Sequence, residues 1–148
     1  MDAVPFHIGI ATDNLDASMA AITDALGLTW TPPSAGGEIL LRTVDGDLQP
    51  RPRSCISRQG PVHVDLMQGR PGTIWATDGT RLHHFAYWTT DLAGDVAQLG
   101  EDGWELEMTG GEPGAAPSQF AYLRRADGMR VELIDEANRP DYESRLAD

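Results

Sequence analysis

The fold is decided by the stretch Leu82-His83-His84-Phe85-Ala86-Tyr87-Trp88-Thr89-Thr90-Asp91-Leu92, because the chain contains its plan twice. The other copy is His7-Ile8-Gly9-Ile10-Ala11-Thr12-Asp13-Asn14-Leu15. Each copy opens on histidine, continues as a short run rich in strand-forming residues, and stops at side chains that can cap a helix. The match places His7 on His84 and Leu15 on Leu92. A repeated plan of this kind predicts two related modules.

Both copies are followed by the same order of elements. Apolar residues at helical spacing predict helices over 15–26 and 91–100, the first ending at Gly27. Alternating apolar runs between Gly, Pro and Asp clusters predict the remaining strands. The predicted strands are 5–11, 38–44, 53–58 and 62–67 in the first module, and 84–89, 104–108, 120–125 and 129–134 in the second. The sequence thus predicts tandem βαβββ modules of the α+β class.

The chain of 148 residues has the length of one compact domain. Module one is assigned to residues 1–67, a Gly/Pro-rich connector to 68–81, module two to 82–136 and a polar tail to 137–148. Neither module alone has enough apolar residues for a separate core.

Bulk composition excludes several classes of partner. A net charge of −12 argues against nucleic acid and against an anionic membrane surface, because like charges repel. No apolar run approaches the roughly 18 residues of a membrane span, and the first residues lack the pattern of a signal peptide. The single cysteine, Cys55, excludes an internal disulfide. These features favour a cytoplasmic protein that acts on a small molecule.

Acidic residues lie between aliphatic residues at matched positions in the last strand of each module. Asp65 is flanked by Val64 and Leu66, and Glu132 by Val131 and Leu133. Burying an unpaired carboxylate is costly, and a divalent cation bound by two imidazoles and two carboxylates would compensate. The alternative is that each histidine is a packed core residue and each acid faces solvent at a sheet edge. The donor set suits Zn²⁺, Fe²⁺, Mn²⁺, Co²⁺ or Ni²⁺.

The paired βαβββ plan, the strand-to-helix starts His-x-Gly-x-Ala and His-x-Ala-x-Trp, and the closing Val-Glu-Leu-Ile-Asp resemble the vicinal oxygen chelate superfamily. This superfamily includes glyoxalase I, methylmalonyl-CoA epimerase, extradiol dioxygenases and bleomycin-resistance proteins. The resemblance implies a curled mixed sheet that forms a cup, with metal ligands on the first and last strands of each module. Carried over by position, the implied metal ligands are His7, Asp65, His84 and Glu132.

Two ligand positions have a competitor. The family more often has Glu, Gln or His where this chain has Asp65, and the nearby His63 points the same way along its strand. His83 precedes His84, but the repeat and the strand alternation favour His84 as the ligand. Alternation then predicts that His83 faces the helix layer or solvent.

The resemblance implies a divalent-metal-dependent isomerase, epimerase or lyase that chelates a small carbonyl or acyl substrate and stabilises an enolate or oxyanion. The alternatives are a non-haem iron extradiol-type dioxygenase and a non-catalytic protein that binds a small molecule such as an antibiotic. The candidates for proton transfer are a ligand carboxylate, Glu132 before Asp65, and the nearby His63. The family also implies a homodimer. Strand parity predicts that Trp88 and Arg130 contact the substrate, and Tyr122 is the third residue assigned to substrate binding.

Overall fold

The protein is described by a computed structural model that covers residues 1–37 and 39–148. The strands, numbered β1 to β9 in chain order, are His7–Thr12, Leu40–Arg42, Leu48–Pro50, Ser54–Ile56, His63–Gln68, Thr80–Thr89, Glu105–Gly110, Ser118–Arg124 and Arg130–Asp135. The helices α1 to α3 are Leu15–Leu26, Leu92–Glu101 and Arg139–Ala147, and a single 3₁₀ turn, Glu136–Asn138, precedes the last of them. The predicted α+β class is confirmed.

Seven strands form one open mixed sheet in the order β4-β5-β1-β6-β9-β8-β7. The first strands of the two modules, β1 and β6, lie side by side and antiparallel at its centre. Each of them pairs on its other side with the last strand of its own module in parallel, β1 with β5 and β6 with β9. The two modules therefore continue one another outward from a shared centre.

The helices cover one face of the sheet, one for each module. Asn14 caps α1 by accepting a hydrogen bond from the amide of Ala17, and Gly27 ends the helix at a φ of 71°. Asp91 caps α2 in the same way. Leu15 packs with Cys55 and Leu66 beneath α1, and the equivalent cluster beneath α2 comprises Leu92, Ala121, Leu123 and Leu133. These cores leave the opposite face of the sheet free for the site.

Three parts of the fold differ from the prediction. Within the strand predicted over 38–44, Leu40–Arg42 forms β2, which pairs in a separate hairpin with β3, a strand that was not predicted. Glu38, at the start of that predicted strand, lies outside the described residues. The strand predicted over 84–89 begins earlier, at Thr80, within the predicted connector.

The polar tail forms α3 and is docked on the sheet, because Tyr142 packs at right angles against Phe6 and Trp88. Tyr142 thus joins the tail to the second face of the sheet. Over the described ranges, no helix has the length and apolar character needed to cross a membrane.

Candidate metal centre

The register between β1 and β6 determines how the two histidines approach each other. His7 lies opposite Ala86, and Gly9 lies opposite His84. Because the two strands are antiparallel, this pairing relates the two modules by a local two-fold axis. Residues that face each other across a sheet project to the same side, so both imidazoles leave the same face.

The outer parallel strands add one carboxylate to each side of this pair. Asp65 of β5 lies beside Gly9, and Glu132 of β9 lies beside Ala86. Each acid is therefore separated from the histidine of the other module by only a small residue. Gly9 and Ala86 form the floor over which the four side chains meet.

Three of the four side chains form a tight triangle. His7 Nε2 lies 3.0 Å from His84 Nε2, and Glu132 Oε2 lies 3.2 Å from His7 Nε2 and 3.1 Å from His84 Nε2. Two ligands of one ion at about 2.0–2.1 Å are separated by roughly 3.0–3.4 Å, so the triangle fits a single divalent cation. Asp65 Oδ2 is 3.8 Å from His7 Nε2, within the 4.8 Å span of the His7, Asp65 and His84 donor atoms. The shorter aspartate thus stands at the edge of the triangle.

The pKa values of the two carboxylates, Glu132 and Asp65, are shifted in opposite directions. Burial favours the protonated form of Glu132, but hydrogen bonds to His7 and His84 outweigh it and hold the pKa of Glu132 well below its usual value. Burial raises the pKa of Asp65, and the nearby histidines only partly offset this. Burial also opposes protonation of His7, yet its contacts with Glu132 and Asp65 raise its pKa. Glu132 is thus the anion of the triangle, and Asp65 is the carboxylate that holds a proton more readily.

His83 lies at a β-bulge, and the bulge reverses the direction that strand alternation predicted for it. The register between β1 and β6 shifts after Gly9: His84 lies opposite Gly9, and Leu82 lies opposite Ile10. His83 is the extra residue, and such residues are turned away from the regular alternation. Its side chain is buried, and its Nδ1 lies 2.9 Å from Nδ1 of His84. The prediction that His83 faces the helix layer or solvent is therefore wrong.

A buried hydrogen-bond chain supports His84 from behind. His83 Nε2 lies 2.8 Å from the carbonyl oxygen of Ile74 and 3.0 Å from Nη1 of Arg130. Arg130 is in turn held by two hydrogen bonds to Glu107, the extra residue of a second register shift, in β7. Within this series of contacts, the Glu107 carboxylate pairs with Arg130, and the Ile74 carbonyl contacts His83.

Proton placement in the chain determines what His84 can offer a metal. Nε2 of His83 faces a carbonyl oxygen that only accepts and a guanidinium that only donates, so it can form a hydrogen bond with only one of them. With the proton on Nε2, His83 donates to the carbonyl of Ile74 at 2.8 Å, and its Nδ1 is free to accept. His84 then donates from Nδ1 to His83, which leaves the Nε2 lone pair of His84 directed at the triangle. Burial, followed by the charges of His84 and Arg130, lowers the pKa of His83 to about 3, which keeps its ring neutral. This is the arrangement that orients a metal-binding imidazole.

The site opens into a cavity of about 450 Å³ on the face of the sheet opposite α1 and α2. Asp65 and Glu132 lie in its wall, beside an apolar cluster of Met67, Trp75, Met108 and Tyr122. The remaining walls come from the β2–β3 hairpin, the segment after β3, the start of β8, and α3 with the turn before it. They include Leu41, Arg51, Gln119, Phe120, Asn138, Tyr142 and Arg145.

The structure brings together the four predicted ligands and places the predicted substrate residue Tyr122 on the cavity wall. It directs three other predicted residues elsewhere. Trp88 is buried between Phe6 and Tyr142, with its ring centroid 4.7 Å from that of Phe6. Arg130 donates two hydrogen bonds to Glu107, so its guanidinium is already occupied. His63 Nδ1 is hydrogen-bonded at 2.7 Å to the carbonyl oxygen of Ser57, outside the cavity.

Several site residues were not predicted from the sequence. The small residues Gly9 and Ala86 have a visible signal, since each stands two positions after the repeated histidine. The pairing of β1 with β6 was needed to show that these two positions require small residues. The tail residue Tyr142 was assigned to a polar segment, and a single aromatic residue there gave no periodic signal. The bulged His83 has no sequence signal beyond its place beside His84.

Comparison with known proteins gives one family match and a set of similar structures. The model of the glyoxalase/bleomycin resistance protein/dioxygenase superfamily matches residues 6–122. The fold is similar to methylmalonyl-CoA epimerase of Streptomyces coelicolor, in complex with 2-nitronate-propionyl-CoA, with a TM-score of 0.61 and 20% identity over 89% of this chain and 96% of that chain. Methylmalonyl-CoA epimerase from Mycobacterium tuberculosis gives a TM-score of 0.63 at 18% identity, over 96% and 97% of the two chains.

A longer protein contains the same fold. A mutant of 4-hydroxymandelate synthase from Streptomyces coelicolor matches with a TM-score of 0.61 at 17% identity, over 89% of this chain and 38% of that chain. The search of curated protein sequences gives no match. At these identities the solved structures support the fold.

Proposed function

The chain belongs to the glyoxalase/bleomycin resistance protein/dioxygenase superfamily, and on this basis we propose that it is a divalent-metal-dependent isomerase, epimerase or lyase. Its substrate in this proposal is a small carbonyl or acyl compound that enters the cavity. The observation that carries the proposal is the triangle of His7, His84 and Glu132, with Asp65 beside it on the same cavity.

His7, His84 and Glu132 would hold the ion, and Asp65 would be a fourth donor, through a carboxylate oxygen, at the edge of the set. A bound divalent ion would supply a Lewis acid that stabilises negative charge as it develops on a substrate oxygen. His83 keeps the imidazole of His84 in the tautomer that this role requires. The buried position of Glu132 between two imidazoles suits a permanent anion.

Asp65 is the better candidate for proton transfer than Glu132 or His63. Its carboxylate lines the cavity and is 19% exposed, against 9% for Glu132, and it stands further from the imidazoles. A general base must reach the substrate without first leaving a tight ligand set. In the proposed reaction Asp65 removes a proton from the carbon next to the substrate carbonyl and returns it to the same or a neighbouring atom. Trp75, Tyr122 and Met67 exclude water from this side of the cavity.

The first test is the metal content of wild type, His84→Ala and Glu132→Ala after loading with Zn²⁺, Mn²⁺ or Co²⁺ and removal of free metal. We expect one ion per chain in the wild type and a loss of at least about tenfold in affinity for each variant. Glu105→Gln is the matched control, because Glu105 is an exposed carboxylate on β7. Full stoichiometry in both ligand variants would show that the ion is held elsewhere. A wild type that binds no metal would favour a non-catalytic binding protein.

The second test separates metal binding from proton transfer. Methylmalonyl-CoA is a suitable first probe, because epimerases of this compound have the same fold. Deuterium incorporation from solvent would be followed by NMR for the wild type and for Asp65→Asn. We expect Asp65→Asn to retain its metal and to lose exchange by about 10²-fold or more. Exchange at the wild-type rate in this variant would exclude Asp65 as the base.

A second candidate function is an iron-dependent dioxygenase, and the triangle itself is the observation in its favour. Two histidines and one carboxylate with open positions are the ligand set of many non-haem iron oxygenases. The distinguishing measurement is oxygen uptake by the Fe²⁺-loaded protein in the presence of catechol. The isomerase, epimerase or lyase proposal expects no uptake above the metal-free control. Uptake that depends on Fe²⁺ and Glu132 would favour the dioxygenase instead.

A further inference from the structure

We propose that the cavity contains an anion site formed by Arg51 and Arg145, and that the natural substrate carries an ionised carboxylate in addition to the oxygen that approaches the metal. This inference rests on the proposed function, since it names the substrate class of the same cavity. Strand parity predicted that Arg130 contacts the substrate, but its guanidinium is bound by Glu107. The anion site is therefore placed on Arg51 and Arg145, which line the cavity.

The distribution of arginines separates Arg51 and Arg145 from the rest. Every one of the 11 basic residues is an arginine, in a chain whose net charge is −12. Four others form ion pairs with carboxylates among the described residues: Arg53, Arg125, Arg130 and Arg139. The remaining five do not line the cavity that contains Asp65 and Glu132: Arg42, Arg58, Arg70, Arg81 and Arg124. Arg51 and Arg145 form no ion pair within residues 1–37 and 39–148, and both line the cavity that contains Asp65 and Glu132.

Both arginines are held in place by neighbouring residues. The amide of Arg51 donates to the carbonyl of Ile39, and its own carbonyl accepts from the amide of Gly37, so the segment after β3 is fixed. The guanidinium of Arg145 lies 4.2 Å from the ring centroid of Tyr142, a cation–π contact that holds it over the α3 wall. A neighbouring cavity of about 390 Å³ is also lined by Arg51, Arg145 and Asp65. The two arginines therefore stand where the two cavities meet.

The charged residues of the cavity wall have both signs. Three carboxylates, Asp65, Glu132 and Asp141, line the same cavity as Arg51 and Arg145. A divalent ion bound at the candidate metal centre would offset two of the three negative charges, which would leave the two guanidiniums available to an anion. In a chain with a net charge of −12, an anion is attracted only where positive charge is gathered, and this cavity gathers two arginines.

A carboxylate matches this site better than a larger anion. The planar guanidinium donates two parallel hydrogen bonds to a carboxylate, and two arginines offer two such forks. A volume of about 450 Å³ is near the lower end of the range for small-molecule sites, which favours a compact organic acid. One end of that acid would meet the arginines, and its carbonyl or acyl oxygen would lie toward His7, His84 and Glu132.

The test uses malonate as the probe, neutral malonamide as its isosteric control, and inorganic phosphate as the competing anion. Binding to Zn²⁺-loaded wild type, Arg51→Gln and Arg145→Gln is measured by calorimetry. Intrinsic tryptophan fluorescence, to which Trp75 in the cavity wall contributes, is a second signal. Arg125→Gln is the matched control, because it removes the same charge from an exposed turn. Metal content is measured on every sample, and circular dichroism confirms folding.

We expect malonate to bind about tenfold more weakly to each cavity variant, with unchanged metal content and unchanged binding to Arg125→Gln. Arg145→Lys should restore part of the affinity, since it restores the charge without the fork. Malonate binding within twofold of wild type in both cavity variants overturns the anion site, as does malonamide binding as tight as that of malonate. Phosphate binding that is tighter than malonate and depends on both arginines overturns the carboxylate assignment. A chain that takes up no metal overturns the proposed function instead, and the arginine dependence still decides the anion site.

Discussion

Replacing Gly9 with alanine should dismantle the candidate metal centre by adding one methyl group. Gly9 lies opposite His84 in the sheet, and the His84 ring rests directly on it. A Cβ built at Gly9 would lie 2.6 Å from Nε2 of His84 and closer still to its Cε1 and Nδ1. The backbone of Gly9 is ordinary strand, so the effect of the substitution is steric.

The size of the disturbance follows from contact distances. Non-bonded carbon and nitrogen atoms pack at about 3.5–4.0 Å, so the ring has to move by roughly 1 Å or more. The ring is also held on its other side by His83 and by Tyr122, whose ring centroid is 5.2 Å away. Overpacking of this kind costs about 1–3 kcal/mol of unfolding free energy. Displacing one of three tight ligands should lower metal affinity by at least about 100-fold.

The assay combines equilibrium metal binding with urea unfolding of the metal-free protein. Gly100→Ala is the control: Gly100 lies within α2 with no atom near the added methyl, so the variant should be about 0.5–1 kcal/mol more stable and bind metal normally. If Gly9→Ala binds metal as tightly as wild type and unfolds at the same urea concentration, the placement of the His84 ring over Gly9 is wrong.

Three further predictions concern other buried groups. Because the folded state holds His83 neutral with a pKa of about 3 and the unfolded chain has it near 6.5, His83 makes no difference above about pH 6.5 and destabilises the fold progressively below it, by ~2 kcal/mol at pH 5. The unfolding free energy of metal-free His83→Gln, measured in urea, should therefore fall less steeply between pH 7 and pH 5 than that of the wild type. An identical slope for the two proteins would show that the folded state does not keep His83 neutral. Burial raises the pKa of Cys55 to about 12, so its thiol should stay unlabelled by iodoacetamide at pH 8 until guanidinium is added; rapid labelling of native protein would contradict this. Tyr142→Ala should lose about 2 kcal/mol in urea unfolding through its contacts with Phe6 and Trp88, whereas Tyr142→Phe should lose little, and equal stability of the two variants would argue against a docked tail.

The sequence predicted the elements that are set by local pattern and by the repeat. Alternation and helical spacing located β1, α1 and α2 to within one or two residues. The repeat matched His7 with His84, and this pairing is what makes a shared site foreseeable. A mid-strand acid flanked by aliphatic residues indicated Glu132 for a physical reason, because such a carboxylate needs a compensating partner when buried.

The parts that escaped prediction depend on register and on distant contacts. Nothing in the local sequence marks the extra residue in β6, yet that bulge turns His83 toward His84. Strand parity placed Arg130 on the same face as Glu132, but β7 has its own register shift, and Glu107 there binds the guanidinium. The position of the tail helix depends on one aromatic contact, so periodicity could not reveal it.

The repeat gives the two modules the same ligands, and the departures from symmetry assign them different roles. In module two, His84 is oriented by His83, and Glu132 contacts both imidazoles within 3.2 Å. In module one, Nδ1 of His7 has no hydrogen-bond partner among the described residues, and Asp65 stands 3.8 Å from His7. A ligand fixed from behind holds an ion more firmly than one left free to adjust. We therefore expect the ligands of module two to keep their contacts with the ion when substrate enters, and the ligands of module one to shift. Arg51 belongs to module one as well, so the adjustable carboxylate and the proposed anion site lie on the same side of the cavity.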